Sequence, residues 1–294
     1  MKTITPYFPD GDFALDVAAL VAVCENGMFA ANPPAGNTVE TRGFVPVYEN
    51  GPLTLRSGTF MTFSVKQSKR LLPASVIRDL AEEKAIAFEE QRGFKPGRKL
   101  MKELKEQAAM ELIPNAYIVS KVIRVIVDTA TGRMFFGCSP GAAEDWLAWL
   151  RDHELSLAML PLGSARGPDM SSLASSMTSW IFNMGNIGQN LSLGDGVALR
   201  GEHDSIRYRG HDLLAPEIRV QLEAGRHVES VAVVLDGVAR FTIDSSGCLK
   251  AFALEDAEED GVDNDGSDPD TAAAADLLIM GTSINGSATA LLAA

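Results

Sequence analysis

The sequence predicts an α+β protein, and three observations carry that expectation. Strand-like and helix-like periods come in mixed order along the 294 residues. Strand hairpins outnumber strand-helix-strand crossovers, which speaks against a doubly wound parallel sheet. Two long charged helical segments stand together in the middle of sequence that is otherwise rich in strands. The composition, 46% hydrophobic and 22% charged, is that of a globular chain able to bury a sizeable core.

The elements follow in order. Val45, Val47 and Tyr48, then Phe60, Met61, Phe63 and Val65, alternate with polar residues as a half-buried sheet does, and Gly51-Pro52 marks a turn between them. After Pro73 the period becomes helical. Val76, Ile77, Leu80, Ala81, Ala87 and Phe88 make Ser75 to Arg92 an amphipathic helix, which Gly93-Phe94-Lys95-Pro96-Gly97 must interrupt. Leu100, Met101, Leu104, Ala108 and Leu112 stripe a second helix ended by Pro114, so the pair forms a helical hairpin with a basic outer surface.

Tyr117 to Asp128 and Arg133 to Cys138 read as strands joined by a tight turn ending at Gly132, and Ser139 caps the helix that contains Trp146, Leu147 and Leu150. Leu157 to Leu162 is a short apolar strand, and a Ser-rich segment leads into a helix at Trp180-Ile181-Phe182. Val197 to Arg200 and Ile206 to Arg209 are strands, and Pro216 to Ala224 is a helix stopped by Gly225. Val228 to Leu235, Val238 to Ile243 and Leu249 to Leu254 form a meander turning at Asp236-Gly237 and Ser246-Gly247. An acidic linker and an Ala-rich helix from Thr271 to Met280 close the chain. The divisions expected are an N-terminal α+β part at 1–70, the two hairpins and a helix at 71–165, a helix and meander at 166–254, the linker at 255–270 and the last helix at 271–294.

The net charge of −13 argues at first against a polyanionic partner, because nucleic acid rewards presented cations. The distribution of charge along the chain reverses that inference. Glu255 to Asp276 holds ten acidic residues and no Lys or Arg, so the remaining chain carries only −3, whereas Met61 to Lys105 holds eleven cations against six acids. No run reaches the roughly 18–20 apolar residues of a bilayer span. The opening Met1 to Tyr7 lacks the apolar core of a signal peptide, so a cytoplasmic protein is expected. Cys24, Cys138 and Cys248 are widely spaced and sit among apolar neighbours, as reduced buried thiols do.

Catalytic and metal motifs are weak. His153, His203, His211 and His227 are scattered and include no helical metal pair, so no metal or other cofactor is assigned. Gly194-Asp195-Gly196 opens like a nucleotide-binding loop, but no helix follows it, and a strand hairpin is the better reading. Asp263 to Asp268 resembles the start of a calcium loop yet places Asp268 where glycine belongs, which favours a solvated acidic loop. Glu103-Leu104-Lys105 imitates a nuclease signature, but in a helix the two charges diverge. No catalytic residue is assigned. The cations of the helical hairpin either solvate its face or track phosphates, and composition alone leaves both open.

At these residues the sequence resembles the RdgC family. Gly43-Phe44-Val45-Pro46 and Leu71-Leu72-Pro73-Ala74-Ser75-Val76-Ile77 are similar to the family's Gly-(Trp/Phe)-Val-Pro and Leu-Pro-x-x-Val-Ile segments, and Glu111 to Tyr117 to its Leu-Leu-Pro-(Arg)-Ala-Phe. Ile126-Val127-Asp128-Thr129, Gly132, Ala143-Glu144-Asp145 and Leu150-Arg151 continue in order. Weaker echoes run through Leu173 to Trp180, Glu223 to Val228, Gly247 to Lys250 and Leu278 to Met280. The family's opening Trp-Phe-Lys-Asn is absent and the acidic stretch is longer than the family's, as suits a divergent or phage-borne member.

The resemblance implies a horseshoe-shaped subunit that pairs into a ring-shaped homodimer with a basic hole. Such a ring binds double-stranded DNA without sequence preference, associates with recombination in the nucleoid, and restrains a RecA-type recombinase indirectly, by occupying its DNA. From charge, the contact candidates are Lys66, Lys69, Arg70, Arg92, Lys95, Arg98, Lys99 and Lys102, with Lys121, Arg124, Arg207 and Arg209 as second choices. Two other classes compete: a Mg²⁺-dependent DNA exonuclease, and a scaffold protein whose acidic segment meets a basic partner.

Overall fold

The computed structural model describes residues 1–27, 34–153, 155–166, 172–183, 185, 187–188, 190–255 and 268–294. In chain order the first half holds β1 (Thr3–Pro9), α1 (Val17–Asn26), β2 (Glu40–Val45), β3 (Thr54–Ser57), β4 (Phe60–Arg70), α2 (Ala74–Arg92), α3 (Arg98–Leu112), β5 (Ile118–Asp128), β6 (Arg133–Phe136) and α4 (Pro140–Arg151). The second half holds β7 (Met159–Pro161), α5 (Leu162–Ala165), α6 (Leu173–Phe182), β8 (Leu191–Arg200), β9 (Ser205–Arg209), α7 (Pro216–Glu223), β10 (His227–Leu235), β11 (Ala239–Asp244), β12 (Leu249–Leu254) and α8 (Pro269–Ala293). The fold is mixed α+β with a large antiparallel sheet. Most of the acidic linker and of the calcium-like loop, residues 256–267, lies outside the described residues.

The chain forms two compact units. One comprises residues 1–26, 46–64 and 123–294, the other 27–45 and 65–122. The larger holds the principal core. Its sheet runs β6-β1-β12-β11-β10-β8-β9, with β5 beside β6 and β7 also on β1. β1 was not legible as a strand because it is buried on both faces and carries two prolines, so it lacks alternation. It is nevertheless the seam of the unit: Thr3 and Ile4 pair with β12, and Thr5, Pro6 and Tyr7 pair with β6. Leu199, Val231, Ile243 and Leu249 project from the sheet into the core, with Met177 and Trp180 of α6 and Ile284 and Leu291 of α8 in the same cluster.

Helix α8 is also tied by polar contacts. Arg133 donates to Asn285 (2.7 Å) and Thr289 (2.6 Å), and Asn285 donates to Asp128 (3.0 Å). The Ala-rich helix therefore runs well past the expected Met280, because these anchors and the apolar face lie in its second half.

Several expectations need correcting. The first six residues of β4 are all buried, so Phe60 to Val65 is not a half-buried alternating strand. The apolar strand expected at Leu157 to Leu162 shrinks to Met159–Pro161, and Leu162 opens α5. Ser139 occupies the cap position of α4 in extended conformation but makes no side-chain cap hydrogen bond, and Pro140 opens the helix with its pre-set φ. The Ser-rich segment is itself helical from Leu173, because the Ser172 hydroxyl caps α6 by accepting from the Ser175 N–H (3.2 Å). Gly194-Asp195-Gly196 is no hairpin but a bulge inside β8, where the β10 partners step from Val231–Val197 to Val233–Leu193. All three cysteines are buried and outside any disulfide, as expected.

The smaller unit consists of β2, the second half of β4, α2, α3 and the first half of β5. Its core is modest, with Phe44, Val65, Ala81, Ala108 and Ile113 buried. Helices α2 and α3 pack as the expected hairpin. Gly93 ends α2 in the left-handed region (φ 76°) and Gly97 begins α3.

Candidate nucleic-acid interface

The helical hairpin separates its cations into two kinds. Along its length several face carboxylates: Arg78 lies 3.6 Å from Asp79, Lys84 2.7 Å from Glu111 and Lys102 3.8 Å from Glu106. At the closed end, Arg92, Lys95, Arg98 and Lys99 are exposed and no described carboxylate pairs with them. The turn that carries them is ordered by Phe94, which packs edge-on against Phe88 of α2 at 5.6 Å, and by the Gly93 N–H, which donates to the Glu89 carbonyl.

Arg98 and Lys99 occupy the first two positions of α3, whose first turn holds no acidic residue and whose cap makes no side-chain hydrogen bond. Free N–H groups and the positive end of the helix dipole already favour an anion there, so two cations at that end cost about 0.3–1 kcal/mol each when nothing is bound. Such an arrangement disfavours the isolated helix and favours a phosphate. The closed end thus brings together four of the twelve residues expected at the site.

The other eight are placed differently. Arg70 is a correction: it is 8% exposed, and its guanidinium donates to the carbonyl oxygens of Pro34, Gly36, Thr38, Ile113 and Pro114. A fork so engaged is an internal brace rather than a phosphate contact. Lys66 is partly buried on β4 and Lys69 exposed. Lys69 acts on Glu40, where burial is outweighed by hydrogen bonds from Gln67 and Arg42, so that the carboxyl stays below its ordinary range. Lys102 is engaged with Glu106. Lys121 is exposed on β5.

In the larger unit, Arg124 donates to the Val47 carbonyl (3.3 Å) and lines a cavity of about 600 Å³ beside Tyr48, Thr62 and Met280. Arg207 and Arg209 stand two residues apart on β9, both exposed, with no described partner. The Glu103-Leu104-Lys105 triplet lies in helix α3 and not on a strand. Among the described residues, no three His, Cys, Asp or Glu side chains gather in a way that could hold a metal, and no helix is long and apolar enough to cross a membrane. Sequence reasoning missed Arg240, exposed on β11, because one Arg in an alternating strand carries no signal until the sheet is assembled.

Comparison with known proteins gives a consistent result. Residues 1–294 match the family described as "Putative exonuclease, RdgC". The chain is similar to the "Recombination-associated protein RdgC" of Paraburkholderia phymatum, 31% identical over 249 residues that cover 83% of this chain and 80% of the relative. The protein of the same name from Ralstonia nicotianae is 31% identical over 250 residues, with the same shares covered. That of Cupriavidus necator is 27% identical over 259 residues, covering 86% and 84%.

Proposed function

The chain belongs to the RdgC family, and from that premise we propose that it binds double-stranded DNA without reading its sequence, as a homodimer closed into a ring. Occupying DNA in this way would restrain a RecA-type recombinase in the nucleoid without direct contact. One observation carries the DNA-binding reading: Arg92, Lys95, Arg98 and Lys99 are exposed and unpaired at the closed end of the hairpin, two of them against the helix dipole, while Lys84 and Lys102 along its length face carboxylates. Contacts of this kind give affinity through released counterions and carry no base readout. The acidic balance of the whole chain does not oppose it, because a ligand responds to the local potential.

The test is an anisotropy titration of purified protein onto short duplexes of unrelated sequence at two salt concentrations, without metal or nucleotide. Comparable, strongly salt-dependent affinities support the reading, and no binding at the lower salt refutes it. The family description favours a second reading, a DNA exonuclease. Shortening of an end-labelled duplex in Mg²⁺ would establish it, and an intact duplex would dispose of it.

A further inference from the structure

We propose that the open face of the sheet β9-β8-β10-β11-β12 is a second contact surface for duplex DNA, independent of the helical hairpin. The proposal rests on the reading that the protein binds DNA, and it adds a surface and a mode of contact. One face of these strands packs into the core. The other carries mainly small side chains: Gly196, Ala198, Ser230, Ala232, Thr242 and Ala251, with Val234 and Lys250 beside them, line two shallow recesses of about 310 Å³ each, which share Thr242.

Two irregularities maintain the floor of these recesses. At the β8 bulge, a Cβ on Gly194 would sit 2.9 Å from the Ala232 Cβ, so only glycine lets the strands approach. On β12, Ala251 takes a left-handed conformation (φ 52°) where the register against β11 shifts, a conformation that costs an L-residue about 1–2 kcal/mol. Strain held in the middle of an exposed sheet face is a reason to look for a ligand there.

Charge decides what the ligand is. Arg207 and Arg209 rise on one side of the floor and Arg240 on the other, and none has a described partner. Of the carboxylates around it, Asp244 is tied to Lys250 (2.7 Å), Glu229 to Arg200 (3.2 Å), and Asp236 accepts from Ser192 (3.3 Å). Asp195 and Asp236 remain without a described cationic partner against three guanidinium groups, so the surface keeps a net positive balance. The aromatic rings of these strands do not serve it: Phe241 and Phe252 are buried, and Tyr208, which borders the first recess, packs its ring on the core and edge-on against His211. Single strands are held on sheet faces by stacking bases on aromatics, which this face lacks among the described residues.

Phosphates are what it can hold. Three strand spacings separate β9 from β11, about 14 Å. That is close to the roughly 12 Å width of the major groove, so the two rims suit phosphates on opposite strands of a duplex.

The experiment measures a fluorescein-labelled 30-base-pair duplex, and a single strand of equal length, against KCl concentration. The proteins are the unaltered chain, the Arg207→Ala/Arg209→Ala/Arg240→Ala variant, its Lys counterpart at the same three positions, and the hairpin variant Lys95→Ala/Arg98→Ala/Lys99→Ala. Circular dichroism melting confirms that each is folded. The sheet variant should lose at least ~10-fold in duplex affinity and flatten the log–log salt slope by about 3, close to 0.9 for each lost cation, with most of the affinity restored by the Lys counterpart.

An unchanged affinity and slope in the sheet variant, alongside a loss in the hairpin variant, would overturn the second surface and leave the DNA-binding reading intact. Equal losses for single strand and duplex would overturn its groove-spanning geometry. No binding by the unaltered chain would remove both the reading and the surface.

Discussion

Gly281 of α8 lies so close to Phe60 of β4 that a Cβ there would fall 2.6 Å from the ring. The helix therefore seats against the sheet only because that position has no side chain. Gly286, one and a half turns on, is exposed and has nothing within 4 Å of its would-be Cβ. The same substitution should have opposite signs at the two positions. Gly281→Ala should destabilise by about 1–2 kcal/mol through overpacking, and Gly286→Ala should stabilise by roughly 0.5–1 kcal/mol through helix propensity. Urea unfolding midpoints of the two variants check this.

Arg70 should behave as a brace. Replacing it with Ala leaves the Pro34 and Ile113 carbonyls, now 2.7 and 2.6 Å from its terminal nitrogens, without a donor inside the smaller unit. The expected cost is about 2–4 kcal/mol. The salt slope of duplex binding should stay where it is, and a flattened slope in folded protein would return Arg70 to the contact residues.

Arg98 and Lys99 should show a trade between stability and binding. Arg98→Glu with Lys99→Glu places acids at the N-terminus of α3, which the dipole favours by about 0.3–1 kcal/mol each. The melting temperature should rise slightly while duplex affinity falls by more than tenfold at low salt. A variant that binds normally would show that the closed end of the hairpin does not meet DNA.

Asp244 gives a pH signature. Burial alone would raise its carboxyl, but hydrogen bonds from Lys250, the Ser246 hydroxyl and the Cys248 N–H outweigh burial and hold it below its ordinary 3.8. A depressed carboxylate contributes stability that is present above the unfolded value and lost as pH falls through the folded one. Asp244→Asn should therefore lower stability at pH 7 by about 1 kcal/mol and make the decline below pH 4 shallower. Urea midpoints at pH 7, 4 and 3 test it; parallel declines in both proteins would contradict it.

Much of the fold was legible in local chemistry. Pro73, the Gly93 to Gly97 turn and Pro114 delimit the hairpin helices because proline and glycine act within a turn or two of where they stand. The meander turns at Asp236-Gly237 and Ser246-Gly247 were legible for the same reason, and both glycines adopt positive φ. β1 and the bulge at Gly194 to Gly196 were not, because a strand buried on both faces and a close strand approach are defined by partners far away in sequence.

The site divides along the same line. The sequence by itself determined the family, the element types and the cationic stretch at the hairpin, since these depend on residue order and local period. Only the tertiary structure decided that Arg70 turns inward while Arg98 faces solvent, and that Arg207, Arg209 and Arg240 border one floor of mainly small side chains. A guanidinium has the same chemistry wherever it stands. Whether it braces carbonyls or awaits a phosphate depends on which backbone the rest of the chain folds around it.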